Sequence, residues 1–174
     1  MLLSQHGITV ELPSAWEGRI YSRPIPFASR ITDRLAPAEP PPGRHADGLG
    51  WPGEVMRPVT HLANFAMPAQ RGDFGSGAVG LMGARNVFIS LFEYGPESAG
   101  AALFEPQGMP SPQPSEFSPL ALQRQLPGQV GLQRFFTESG RPFCMYAVLG
   151  AASHSVHCAG LVRQMLASVV IEPR

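Results

Sequence analysis

Leu132-Gln-Arg-Phe-Phe-Thr-Glu138, then Ser139-Gly140, then Arg141-Pro-Phe-Cys-Met-Tyr-Ala-Val-Leu149 is the stretch that decides the fold. Ser-Gly between two strand-like runs is a hairpin turn signal. Phe135 and Phe136 then point to opposite faces. Residues 143–149 are apolar throughout, as in a strand covered on both sides, so this strand is predicted to be central. Pro142 lacks an N–H and is tolerated because it opens the strand. Downstream, Cys158, Leu161, Val162, Met165 and Leu166 recur at i, i+3, i+4, i+7 and i+8, a helical stripe facing the core. Ser155 is placed to cap that helix. Ser168-Val-Val-Ile171 then runs back into the sheet.

Upstream, Ile8-Thr-Val-Glu-Leu12 and Arg19-Ile-Tyr-Ser-Arg23 alternate with period two. They read as a hairpin closed by Pro13-Ser-Ala-Trp-Glu-Gly18. Val59–Phe65 is a candidate strand, with His61 and Asn64 on opposite faces. Val87–Tyr94 is a second apolar strand covered on both sides. Ser76–Met82 and Glu97–Phe104 are read as short helices. Residues 36–53 and 106–119 are rich in Pro and Gly and are read as long loops within a single domain spanning 1–174. The run Pro40-Pro41-Pro42 favours an extended polyproline conformation. The fold class expected is α+β, an antiparallel sheet flanked by helices as an α/β/α sandwich.

Composition narrows the function classes. A domain of 174 residues buries roughly 70% of its unfolded surface, enough for a real core. The 13 basic residues are all Arg and are matched by 13 acids. They are interspersed, so no basic face offers a footprint for nucleic acid. Cys144 and Cys158 form neither a C-x-x-C pair nor a disulfide framework. The start lacks the basic and apolar regions of a signal peptide. No apolar run reaches the roughly 20 residues that span a bilayer. A cytoplasmic protein with reduced thiols is expected.

Candidate chemistry is sparse. Gly75-Ser-Gly-Ala-Val-Gly80 matches G-x-G-x-x-G, but no strand pattern precedes it and no long helix follows, so it implies no nucleotide. Asp73-Phe74-Gly75 spells the kinase metal motif without any other kinase element. His154, His157 and Cys158 are the one ligand-like cluster. In the helical register Cys158 turns inward and His157 about 100° away, so the pair diverges. A structural zinc site takes four ligands, and no metal or cofactor is implied. Cys144, in an apolar strand, is expected to be an inert thiol of raised pKa. Glu93, at a strand end, is expected to turn into solvent.

The opening Gly7-Ile-Thr-Val-Glu-Leu-Pro-Ser-Ala-Trp16, the hairpin over 133–149 and the helix running into Leu166-Ala-Ser-Val-Val-Ile171 together resemble the PsbP/Mog1-like fold. The resemblance covers about 60 residues at the two termini and carries no catalytic motif. The phrasing is also similar to uncharacterised proteins of high-GC actinobacteria, mycobacterial lipoproteins of that fold among them. The lipobox of those proteins is missing here, so lipidation does not carry over. The resemblance implies a domain that binds protein partners or assists a larger assembly; function from fold is analogy. The expected function is therefore a non-catalytic accessory or protein-binding domain. The alternatives are a small enzyme using Glu93, His61 or His154, and a pocket for a small apolar ligand lined by Phe65, Phe88, Phe92 and Phe104.

Overall fold

The computed structural model describes residues 1–25 and 55–174. The loop expected at 36–53 lies outside the described residues. In chain order the strands are β1 (Leu2–Gln5), β2 (Ile8–Glu11), β3 (Glu17–Ile25), β4 (Val55–Ala63), β5 (Val87–Glu93), β6 (Val130–Glu138) and β7 (Arg141–Leu149). The helix α1 (Ser155–Ala167) and the strand β8 (Val169–Ile171) follow. A five-stranded antiparallel sheet has the order β3-β4-β5-β7-β6, and a separate three-stranded sheet the order β1-β2-β8.

The β6–β7 hairpin forms in the expected register, Glu138 opposite Arg141 and Val130 opposite Leu149. Its two turn residues, Ser139 and Gly140, both have positive φ, 52° and 74°. That is the type I′ geometry whose twist matches the flanking strands. His6 and Gly7 repeat it between β1 and β2, with φ of 57° and 70°. Every residue of β7 is buried, as its unbroken apolar run requires. Strand alternation sends Phe143, Met145, Ala147 and Leu149 to one face and Cys144, Tyr146 and Val148 to the other.

On the first face, called the helix face, these side chains meet Cys158, Ala159, Val162, Met165 and Leu166 of α1. Ile8, Val10, Val169 and Ile171 of the small sheet complete the same cluster. The opposite face, called the loop face, is covered by chain with little regular structure. There Phe88, Tyr146 and Val148 pack under Ala78, Val79, Met67, Phe74 and Leu122. Farther along the sheet, Phe92 and Cys144 pack with Tyr21, Tyr94 and Phe135.

The α/β/α sandwich is therefore not what forms, because among the described residues α1 is the one α-helix. The segment read as a helix at 76–82 carries two Gly, and in the one at 97–104 Gly100 takes a φ of 84°, so neither propagates a helix. They reduce to three-residue 3₁₀ turns at Val79–Leu81, Pro96–Ser98 and Ala102–Phe104. The expected pairing of 8–12 with 19–23 also fails. β2 takes β1 and β8 as neighbours, and the Pro13–Trp16 turn carries the chain from the small sheet to the large one. β8 accordingly enters the small sheet, not the one containing the β6–β7 hairpin. Ser155 is the first residue of α1, while His154 occupies the cap position without a side-chain bond to the helix.

The Pro-rich segment at 106–119 closes the outer edge of β6. Ser118 and Gly131 exchange two backbone bonds at 2.9 and 3.0 Å, and Thr137 N–H donates to Pro106 O at 2.8 Å. Arg163 of α1 donates to Pro112 O at 2.9 Å, and Phe117 is buried in the helix-face core. An unpaired strand edge is a template for unwanted pairing; this loop covers both ends of one.

Candidate functional site

On the loop face a polar constellation sits around His61 of β4 and Ser90, the middle residue of β5. His61 is fully buried, between the rings of Tyr21 and Phe88 at 5.3 and 5.1 Å. Arg71 Nε donates to His61 Nδ1 at 2.8 Å. A guanidinium only donates, so Nδ1 is the acceptor and Nε2 carries the proton. That proton goes to the backbone carbonyl of Asp73 at 2.8 Å. Ser90 Oγ donates to the same carbonyl at 2.7 Å. Burial, reinforced by the Arg71 charge, pushes the His61 pKa down to about 3. The ring is thus held neutral with both nitrogens engaged, and neither is free to move a substrate proton.

The side chains of residues 73–75 complete this arrangement. The Asp73 carboxylate accepts from Tyr21 OH at 3.1 Å and pairs with Arg23. Phe74 stacks on Phe92 and meets Tyr146 edge-on, with centroids 6.1 and 5.7 Å away. Gly75 has φ of 73°, and a Cβ there would lie 2.3 Å from the Phe88 ring. Asp-Phe-Gly here is a latch that fixes residues 68–75 onto the sheet. The overlapping G-x-G-x-x-G run leads into a three-residue turn with Val79 buried, not into a helix whose N-terminus could take a phosphate.

The helix face holds a second buried polar group, at the end of β5 and the start of β7. Glu93 is 2% exposed, which overturns the expectation that it faces solvent. Its register partner is Phe143, so Arg141 lies diagonally beside it on the same face. Arg141 donates Nε to Glu93 Oε1 at 3.2 Å and Nη2 to Oε2 at 2.6 Å. Its remaining N–H groups reach Gly7 O, Glu172 O and His6 O at 3.1, 3.0 and 3.1 Å. All five guanidinium donors are used. One side chain thereby ties the β1–β2 turn and the segment after β8 to the end of the large sheet.

His61, Glu93 and His154 do not converge. The first is buried on the loop face and the second on the helix face, while His154 stands before α1 and contacts Ser153 Oγ at 3.1 Å. Cys158 is buried and His157 exposed, diverging as their helical positions dictate. Among the described residues no three His, Cys, Asp or Glu side chains group as a metal site would require. Burial pushes the Cys144 thiol up to about 11 against the hydrogen bond from Gln133. Phe65 and Phe88 belong to one apolar cluster and Phe92 to the neighbouring one. Phe104 packs on Tyr94 and Phe135 and borders a groove of about 410 Å³ with Gly100, Gln107 and Thr137.

A concavity that sequence reading missed lies where β2 passes over α1. Leu12, Pro13, Trp16, Leu161 and Met165 wall a groove of about 230 Å³, and Glu11, Gln164 and Ser168 form its polar rim. Trp16 is half-buried against the helix-face core. The signal was present: Trp16 follows Pro13 at the strand exit, and Leu161 and Met165 lie one turn apart on the helix. Seeing it required knowing that β2 pairs with β8 and so lies beside α1. No family model, curated protein or solved structure matches the chain. Among the described residues no helix is long and apolar enough to cross a membrane.

Proposed function

We propose that this chain is a non-catalytic accessory domain that binds a protein partner by taking one of its apolar side chains into the Trp16 groove. The observation that carries this reading is the half-buried Trp16 over a floor of Leu12 and Met165, both buried. The groove, at about 230 Å³, falls below the roughly 300–1,000 Å³ of sites for small molecules and cofactors. It suits a single anchoring side chain. Trp is enriched among the residues that dominate binding energy, and an apolar centre inside a polar rim is the usual anatomy of a protein interface. The balance of 13 basic and 13 acidic residues supports a protein partner over nucleic acid. Two buried, unpaired cysteines support residence in a reducing cytoplasm.

The test is a peptide library selected on the full chain carrying Trp51→Phe, so that indole emission reports Trp16 alone. Selected peptides should share one large apolar residue and change that emission on binding. Trp16→Ala and Leu161→Arg should each weaken them by about tenfold or more, with thermal unfolding showing both variants folded. Peptides that bind Trp16→Ala as well as the parent chain would sink the proposal.

A further inference from the structure

At the end of the large sheet where β3 meets β4, Arg23 and Arg57 are register partners. Both fall on the loop face, in the same alternation as Tyr21, Val59 and His61. Val59 pairs with Phe92, so continuing that register by two residues brings Tyr94 level with Arg57. The three side chains make a row across the sheet. The Arg23 guanidinium lies 4.5 Å over the Phe92 ring, and the Phe92 and Tyr94 rings are 5.1 Å apart.

This row is short of acceptors. Arg23 pairs with Asp73, which Tyr21 also occupies. Among the described residues Arg57 has no carboxylate partner, and the Nε atoms of Arg23 and Arg57 are both buried without a hydrogen bond. Tyr94 OH makes none either among those residues, and burial pushes its pKa up to about 12. Buried donors are rarely left unpaired, and a guanidinium nitrogen taken out of water is costly without an acceptor. The other half-buried cation on this face, Arg71, is already committed to His61, Pro68 and Ala69. The unmet donors are therefore local to the row. The guanidinium fork matches the oxygens of phosphate, and the phenol adds a third donor from the residue that follows β5.

We infer that Arg23, Arg57 and Tyr94 form a site for a phosphate-class oxyanion. The experiment is titration of the full chain with inorganic phosphate and with phenyl phosphate, followed by amide and Arg Nε chemical shifts, against sodium chloride at matched ionic strength. Saturable shifts of the Arg23 and Arg57 Nε–H signals are expected with both phosphates and not with chloride. Arg57→Gln and Arg23→Gln should each weaken binding by about tenfold or more, and Arg57→Lys should recover only part of it, because it restores charge without the fork. Thermal unfolding would show that each variant is folded. Equal shifts in chloride, or unchanged phosphate binding by Arg57→Gln, overturn the site. So does a phosphate response that emerges only after Asp33, Glu39, Asp47 and Glu54 are neutralised together, since the chain's own carboxylate would then hold the pair.

Discussion

On the helix face, Val87, Ile89, Leu91 and Met145 meet α1 and the small sheet through apolar contacts alone over most of their area. On the loop face, Phe88 and Phe92 lie under a segment with almost no backbone ladder of its own, held by His61, Ser90, Tyr21 and Arg71. The two faces of one sheet are thus sealed by different physics. A helix satisfies its own backbone and needs only a stripe of the right period. A loop brings unsatisfied N–H and C=O groups to the sheet and must be given partners for them. The carbonyl of Asp73, which accepts from two side chains, is where that requirement is met. A polar residue in a buried strand position therefore need not mark chemistry; it can be the peg on which an irregular cover hangs.

The largest effect is expected from removing the polar group on the face that depends on polar contact least in area. Arg141→Ala should cost about 3–5 kcal/mol, because it strands Glu93 as a buried charge and frees three backbone carbonyls. Arg174, its other cation at 3.2 Å, is half-exposed and compensates little. Urea unfolding measures the loss. The double change Arg141→Met with Glu93→Leu should cost less than the single one, since an apolar pair of similar volume leaves nothing unpaired. If the single change costs under about 1 kcal/mol, the clamp contributes nothing beyond its neighbours, and the helix face is sealed by apolar contact alone.

On the loop face the corresponding change is Gly75→Ala. The residue needs positive φ, and the new methyl would collide with the Phe88 ring, which also packs against His61. A penalty of about 2–3 kcal/mol is expected from the strained φ and the overpacking together. Hydrogen exchange should localise it: amides over 71–82 should open while those of β7 remain protected. Uniform loss of protection would mean that the two faces unfold as one unit.

Legibility in the sequence follows the same division. The β6–β7 hairpin, the inward turn of Cys158 and the buried character of β7 could all be read, because each depends on a local period or a local turn. The partner of β2 could not. Ile8–Leu12 alternates equally well whether it pairs with Arg19–Arg23 or with Leu2–Gln5 and Val169–Ile171, and nothing local to the strand chooses between them. The helix read at 76–82 fails because apolar residues in a Gly-rich stretch can be buried by a loop as well as by a helix, and the one at 97–104 fails because Phe104 alone is buried there, so no apolar stripe asks for a helix. Glu93 was misread because its partner, Arg141, is 48 residues away, and a diagonal cross-strand pair leaves no mark in either segment. Of the candidate site, the aromatic residues on the loop face could be named, but the latch could not. Asp73-Phe74-Gly75 looks like a chance motif until His61 and Ser90 are seen to share one carbonyl.

Proton linkage at His61 separates the faces most finely, because it weakens the loop face without altering its packing. The ring is held neutral with its pKa near 3, against an ordinary value of 6.5. Between those values the unfolded chain binds the proton and the folded one does not, so stability rises with pH across that window. The contribution is complete above about pH 6.5 and is lost progressively as pH falls toward 3. From pH 7 to pH 5 the loss traceable to this residue should be about 2 kcal/mol. His61→Gln keeps an amide in place of the imidazole but does not titrate. It should lower stability at pH 7 while removing most of the acid sensitivity, so the two denaturation curves should draw together at pH 5. Should the parent chain and His61→Gln lose stability in parallel over that range, His61 is not held neutral by burial. The loop face would then owe its attachment to Phe74 and Val79, by the same apolar contact that seals the helix face.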